Sequence, residues 1–449
     1  MRGLKSTIAL IVVLAGLGAY IYFVLNKKGP DTSASKQEKV FAGVEADKVA
    51  ELRITSDKGE TTTLKKDGGT WTLVAPIAAK ADESESSAIA SALAQLEVVR
   101  VIDENPADLK DYGLATPRIV VEFKAAGDKD YRRLVVGDKS PTGADLFAQR
   151  NGEKRVFLIP AYQESTFNKS TFDLRDKTVL KVERDKVDGL EIHAGGRTIE
   201  IAKDNAEWKI TSPIQARADY ATVEGLIGRL QTASMKSIAS EEATPADLKK
   251  YGLDKPEATV DLKMGSARAT FAVGSKADDN TVYARDASTP MVVTIESSLA
   301  DELKKGPDDY RRKDVFDFRS YNATRLEVTR AGQTVVFEKT KGEGKDAMEK
   351  WRRVSPNPAD VDRDKMETLL SRISNMRATS FADASTKTGL ETPAMTIAVK
   401  YDEGKKEERA TFGKAGDAVF VSHAGDPGAA KVDQADFTEA NKTLDELSK

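Results

Sequence analysis

Trp71, Trp208 and Trp351 are the three tryptophans of the 449-residue chain, and each begins the same series of residues. A proline follows five positions later (Pro76, Pro213, Pro356), and an aspartate eleven positions later (Asp82, Asp219, Asp362). Farther on, Tyr112-Gly113-Leu114 recurs as Tyr251-Gly252-Leu253 and, in reduced form, as Thr388-Gly389-Leu390. Three residues past each leucine stands Pro117, Pro256 or Pro393, and a Val-Gly or Phe-Gly pair then ends at Gly137, Gly274 or Gly413. The tryptophans lie 137 and 143 positions apart, with the order of landmarks kept in each copy. Such self-similarity marks one structural unit used repeatedly, so whatever this chain folds into is built three times.

Local patterns turn the repeat into elements. Leu52 and Ile54, Leu190 and Ile192, and Leu326 and Val328 alternate with polar neighbours, as half-buried strands do. A turn, a second strand and the tryptophan strand follow, so each repeat opens as a β-meander. The aspartate is expected to cap a helix, its carboxylate accepting a bond from a free backbone N–H. Ile89 and Leu93, Leu226 and Leu230, and Leu369 and Ile373 then form one apolar stripe, extended by Leu96 and Met376. The Ala-Asp-Leu-Lys-x-Tyr-Gly-Leu segments read as a short helix stopped by glycine. Proline then leads into further strands, carrying Ile119, Val121 and Phe123 in the first copy. The fold class expected is α+β: three tandem repeats, each a mainly antiparallel sheet with one amphipathic helix packed on it. Residues 41–178, 179–315 and 316–449 delimit the three repeat domains.

The segment ahead of the repeats has another character. Ile8–Leu25 runs 18 residues without a charge, which as a helix spans ~27 Å, close to the hydrocarbon thickness of a bilayer. Tyr20 and Tyr22 sit near one end, where aromatic rings favour the interface. The run exceeds that of a cleaved signal peptide and offers no small-x-small cleavage site. Residues 1–27 are therefore read as a tail and retained transmembrane anchor, and 28–40 as a polar tether. The short tail is placed in the cytoplasm and the repeats outside the inner membrane.

Composition narrows the chemistry. Cysteine is absent, which removes disulfides, thiol catalysis and Cys-ligated metals. Acidic and basic residues number 72 and 69, without the concentrated basic face that nucleic acid requires. Only His193 and His423 carry imidazoles; they fall in different repeats, His193 facing away from Leu190 and Ile192, and His423 before the turn sequence Ala-Gly-Asp-Pro. Both read as solvated or locally bonded side chains. Asp360-Val-Asp362-Arg-Asp364 begins like a calcium loop, but Lys365 stands where glycine is needed and Ser371 where glutamate is. The sequence contains no nucleophile elbow, Walker loop, dinucleotide fingerprint or zincin motif. The recurring Trp, Pro, Gly, Leu and Asp pack, turn and cap; they supply neither catalysis nor a cofactor or metal site.

The anchor, the Trp-x-Leu/Ile-x-x-Pro series with its capped helix, and the Tyr-Gly-Leu-x-x-Pro motif together resemble the bacterial "domain of unknown function 4340" family. The resemblance covers the repeats, the third without its tyrosine. Members of that family are commonly encoded beside ABC-type export components similar to gliding-motility transporters. The resemblance thus implies a non-catalytic envelope protein, an accessory subunit with protein partners in a membrane transport complex. A glycan- or peptidoglycan-binding or structural envelope role is the alternative, followed by a hydrolase whose two carboxylates no motif reveals.

Overall fold

The computed structural model describes residues 38–340 and 349–448. The apolar stretch Ile8–Leu25 lies outside the described residues; among those described, no helix is long and apolar enough to cross a membrane. The chain divides after Lys177 into two units, the first holding one repeat and the second holding two.

In the first repeat, Leu52 and Ile54 are completely buried on β1 (Val49–Thr55), while Arg53 and Thr55 point to the other face. Leu52 pairs with Leu64 of β2 (Thr61–Asp67), which continues into β3 (Thr70–Ala75) and the two-residue β4 (Ala79–Lys80). After the main helix come β5 (Arg100–Asp103), β6 (Ile119–Ala125), β7 (Arg132–Lys139), β8 (Asp145–Arg150) and β9 (Val156–Pro160). They form one nine-stranded antiparallel sheet in the order β4-β3-β2-β1-β6-β7-β8-β9-β5. Two meanders meet at its centre, where Leu52 lies opposite Phe123. The second and third repeats reproduce this order strand for strand.

The capped helices are Glu83–Gln95, Tyr220–Gln231 and Arg363–Ser374, and they bury the apolar stripes described above. Each fully buried Leu or Ile contributes roughly 1.5–3 kcal/mol, so the stripe rather than helix propensity holds these elements in place. Beyond the amphipathic helix and the short helix expected, further helices close each copy. Gln163–Phe167 and Thr171–Leu174 close the first copy, and Ser297–Leu303 and Pro307–Tyr310 the second. The third adds the 15-residue helix Gln434–Ser448, burying Phe437, Ala440, Leu444 and Leu447.

The short helix before Tyr-Gly-Leu also varies. It is a six-residue α-helix in the second copy (Pro245–Lys250), where Thr244 and Asp247 form a capping box. It shrinks to one 3-10 turn, Lys110–Tyr112, in the first and is absent before Thr388 in the third. Neither of those copies has that box, and so short a helix needs its orphan N–H groups satisfied.

Candidate functional site

The recurring residues divide into three jobs. Asp82, Asp219 and Asp362 cap their helices, accepting backbone N–H bonds from Glu85 (3.1 Å), Thr222 (2.8 Å) and Lys365 (2.9 Å). Pro76, Pro213 and Pro356 each follow a cis peptide bond, while Pro117, Pro256 and Pro393 stand two residues before Ile119, Ala258 and Met395, the first strand residues beyond them. The glycines work in pairs. Gly113, Gly252 and Gly389 have φ of 65°, 71° and 69°, the left-handed region. Their partners Gly137, Gly274 and Gly413 pass so close that an added Cβ would lie 2.1, 2.2 and 2.4 Å from the carbonyl oxygens of Tyr112, Tyr251 and Thr388. Only glycine permits that backbone approach.

The tryptophans are core residues, 1%, 2% and 7% exposed, and the corner around each is finished differently. Strand register makes Lys66, Lys203 and Lys339 equivalent, each opposite its tryptophan. The ammonium groups of Lys66 and Lys203 lie over the indoles at 5.7 and 5.2 Å from the ring centres. Five residues beyond each capping aspartate stands Ser87, Glu224 or Glu367. In the second copy Glu224 accepts the Trp208 indole N–H at 3.0 Å and Arg184 Nε at 3.0 Å, with Lys203 at 3.8 Å. Burial raises the Glu224 pKa, but these bonds and the cations outweigh it and hold the carboxyl below its ordinary range. In the first copy Ala46 occupies Arg184's place, and the buried Trp71 Nε1 has no hydrogen-bond partner among the described residues.

In the third copy the corner is open. Ser320 and Tyr321 hold the positions of Arg184 and Asp185, counting back from the paired strand residues Leu326 and Leu190. A cleft of about 690 Å³ lies here, lined among the described residues by Ser320, Tyr321, Lys339, Trp351, Asp360 and Glu367, together with Glu349, Lys350, Val361 and Arg363. Five of its charged groups have ion-pair partners: Lys339 with Glu349 at 2.9 Å, Arg363 with Glu367 at 2.8 Å, and Asp360 with Arg352, outside the lining, at 2.8 Å. Tyr321 is 78% exposed. Sequence reasoning assigned Trp351 to packing and Asp362 to the helix cap and did not foresee this cleft, which is assembled from residues far apart in the chain.

Two other polar groupings stand out. Glu191, His193 and Asp261 share the open face of the second sheet, with ligand atoms within 4.8 Å of one another. His193 Nδ1 is 3.0 Å from the Thr198 hydroxyl and Nε2 is 3.1 Å from Glu191, while Lys263 Nζ is 3.6 Å from Glu191. His193 faces away from Leu190 and Ile192, as the alternation requires.

The second grouping joins the second and third repeats. Arg217 Nε donates to Asp426 at 2.8 Å and Nη1 to Asp317 at 3.1 Å, and the Arg311 guanidinium stacks 3.6 Å over Phe381. Beside them His423 ends its strand largely buried, with no hydrogen bond to either ring nitrogen among the described residues. The imidazole is thus neither solvated nor hydrogen-bonded, and its local neighbour is the Asp426 carboxylate, 3.9 Å from Nδ1. Burial and the nearby Arg217 push the His423 pKa below its ordinary value. Glu408 accepts the Asp317 N–H at 2.7 Å, and burial raises its pKa.

The model for the family described as "Domain of unknown function (DUF4340)" matches residues 71–209, 208–393 and 351–449. No curated protein matches the chain.

Proposed function

From the premise that this chain belongs to the DUF4340 family, we propose that it is a membrane-anchored, non-catalytic envelope protein serving as an accessory subunit of an ABC-type export or gliding-motility-like transport system. One observation carries the proposal: every position kept in all three copies is consumed by capping, turning or close packing. Outside those positions the copies differ, on their surfaces as well as in parts of the core, so one frame presents three different faces, as a subunit that contacts several partners requires. The junction built on Arg217, Asp317 and Asp426 supports this by coupling the second and third repeats through partly buried ion pairs. Ile8–Leu25 supplies the anchor, with the repeats on the outer side.

Purification of the tagged full-length protein from crosslinked native membranes, with an anchor-deleted control, tests the reading. Recovery of a permease and its ATPase with the anchored form is the expected result. A protein that migrates alone, or that alkaline carbonate strips from the membrane, overturns it.

A further inference from the structure

We infer that Glu191, His193 and Asp261, on the open face of the second sheet, bind a divalent transition-metal ion. Strand register places Glu191 directly opposite Glu200 on one neighbouring strand and Asp261 on the other, so three carboxylates stand in a row across the sheet. Like charges in that arrangement repel. The other copies avoid the conflict. In the first, Arg53 takes the place of Glu191, opposite Thr63 and Glu122, and Arg53 and Arg133 pair with Glu122 at 3.6 and 3.8 Å. In the third, Glu327 lies between Val336 and Ala398, with Arg325 at 3.4 Å. The second copy has Thr270 in the place of Arg133, and the ammonium of Lys263, 3.6 Å from Glu191, balances one charge of the three.

The same copy brings an imidazole to this row. Thr55 and Thr329 hold the position of His193, each with its hydroxyl 2.9 Å from that of Thr61 or Thr334 across the strand. His193 keeps that link through Nδ1, 3.0 Å from the Thr198 hydroxyl, and its Nε2 lies 3.1 Å from Glu191. With Nδ1–H donating to the threonine, Nε2 and the carboxylate oxygen are two acceptors face to face. Only a cation between them, a proton or a metal ion, makes that contact favourable. The Thr270 hydroxyl donates to Asp261, so two of the three ligands are oriented by groups behind them, as metal ligands commonly are. The ligand atoms lie within 4.8 Å of one another. Around an ion with bonds of roughly 2.0–2.2 Å they would stand about 3.5 Å apart, a contraction that half-exposed side chains supply by rotating. One imidazole with two carboxylates suits zinc or a neighbouring first-row ion, whereas calcium takes oxygen ligands. The His193 side chain is 42% exposed, which leaves the remaining coordination position to water.

Full-length protein in detergent, carrying a histidine-free tag and stripped with a chelator, is titrated by calorimetry with Zn²⁺, and with Ca²⁺ as comparator. Saturable binding of one Zn²⁺ at this site is expected, with Ca²⁺ at least tenfold weaker. His193→Thr, which installs the residue of the other two copies and their threonine pair, is expected to weaken zinc binding tenfold or more while the circular dichroism spectrum stays unchanged. Asp261→Asn is expected to weaken it likewise. Lys263→Gln, which removes the competing ammonium, is expected to bind at least as tightly as the parent. The inference is overturned if zinc does not saturate, if His193→Thr or Asp261→Asn binds like the parent, if Lys263→Gln binds more weakly, or if calcium binds as tightly as zinc.

Discussion

The second and third repeats share strand order, capping aspartate and buried tryptophan, yet one corner is closed and the other open. Arg184 and Glu224 make the difference in one, Ser320 and Tyr321 in the other. The comparison teaches that this frame tolerates exchange at its edges because its stability resides elsewhere: in the glycine pairs, the caps and the apolar stripe. Edge positions are therefore free to differentiate without a change of fold.

The shared frame is the assumption most easily broken. Gly274→Ala places a Cβ about where the Tyr251 carbonyl oxygen already lies, 2.2 Å away. Backbone must move, and a loss of about 3 kcal/mol or more is expected, read as a lower denaturation midpoint. Gly413→Ala should fail similarly; if it were tolerated, the third copy would not share the frame.

Arg217→Ala comes next. It leaves Asp426 and Asp317 without their shared cation, 17% and 28% exposed. Breaking a partly buried pair costs about 2–4 kcal/mol, and hydrogen exchange in the third repeat should rise with it.

Glu224→Ala then tests the plug itself. It strands the indole N–H of Trp208, at about 1–3 kcal/mol. Glu367→Ala, on the open corner, should leave the denaturation midpoint unchanged, and an equal loss in both would erase the distinction drawn here.

The smallest effect is pH-dependent. The His423 pKa is lower in the folded state than its ordinary 6.5. Below that ordinary value the unfolded chain therefore takes up the proton more readily, and stability falls as pH drops through the window beneath 6.5. The raised pKa of Glu408 has the opposite sign: its penalty appears as pH rises above its ordinary value. His423→Gln should flatten the slope below pH 6.5, measured as denaturation midpoint against pH. An unchanged slope would mean that other groups set it.

Much of the frame was legible because it rests on local rules. A capping aspartate, a proline ahead of a strand and a stripe at helical spacing all act over a few residues, so recurrence exposes them. The helix Gln434–Ser448 has such a stripe in Phe437, Ala440, Leu444 and Leu447 but no counterpart in the other repeats, and an argument from recurrence passes over it. The helices of four to seven residues that close the first two copies are too short to carry any period. The glycine pairs show the boundary clearly: both members were visible as recurring residues, but their mutual contact spans some 24 positions, from Gly113 to Gly137.

By itself the sequence determined that the unit is used three times, where strands alternate, which residue caps each helix, and that thiol and Walker-type chemistry are absent. Tertiary structure alone decided which groups meet. Glu224 meets an indole and Arg184 from 40 residues upstream, while the equivalent Glu367 meets Arg363 of its own helix. That the His423 pKa falls depends first on burial and then on the charge of Arg217 from the preceding repeat. Burial and pairing are sums over neighbours brought together by folding, and no local pattern in a chain encodes such a sum.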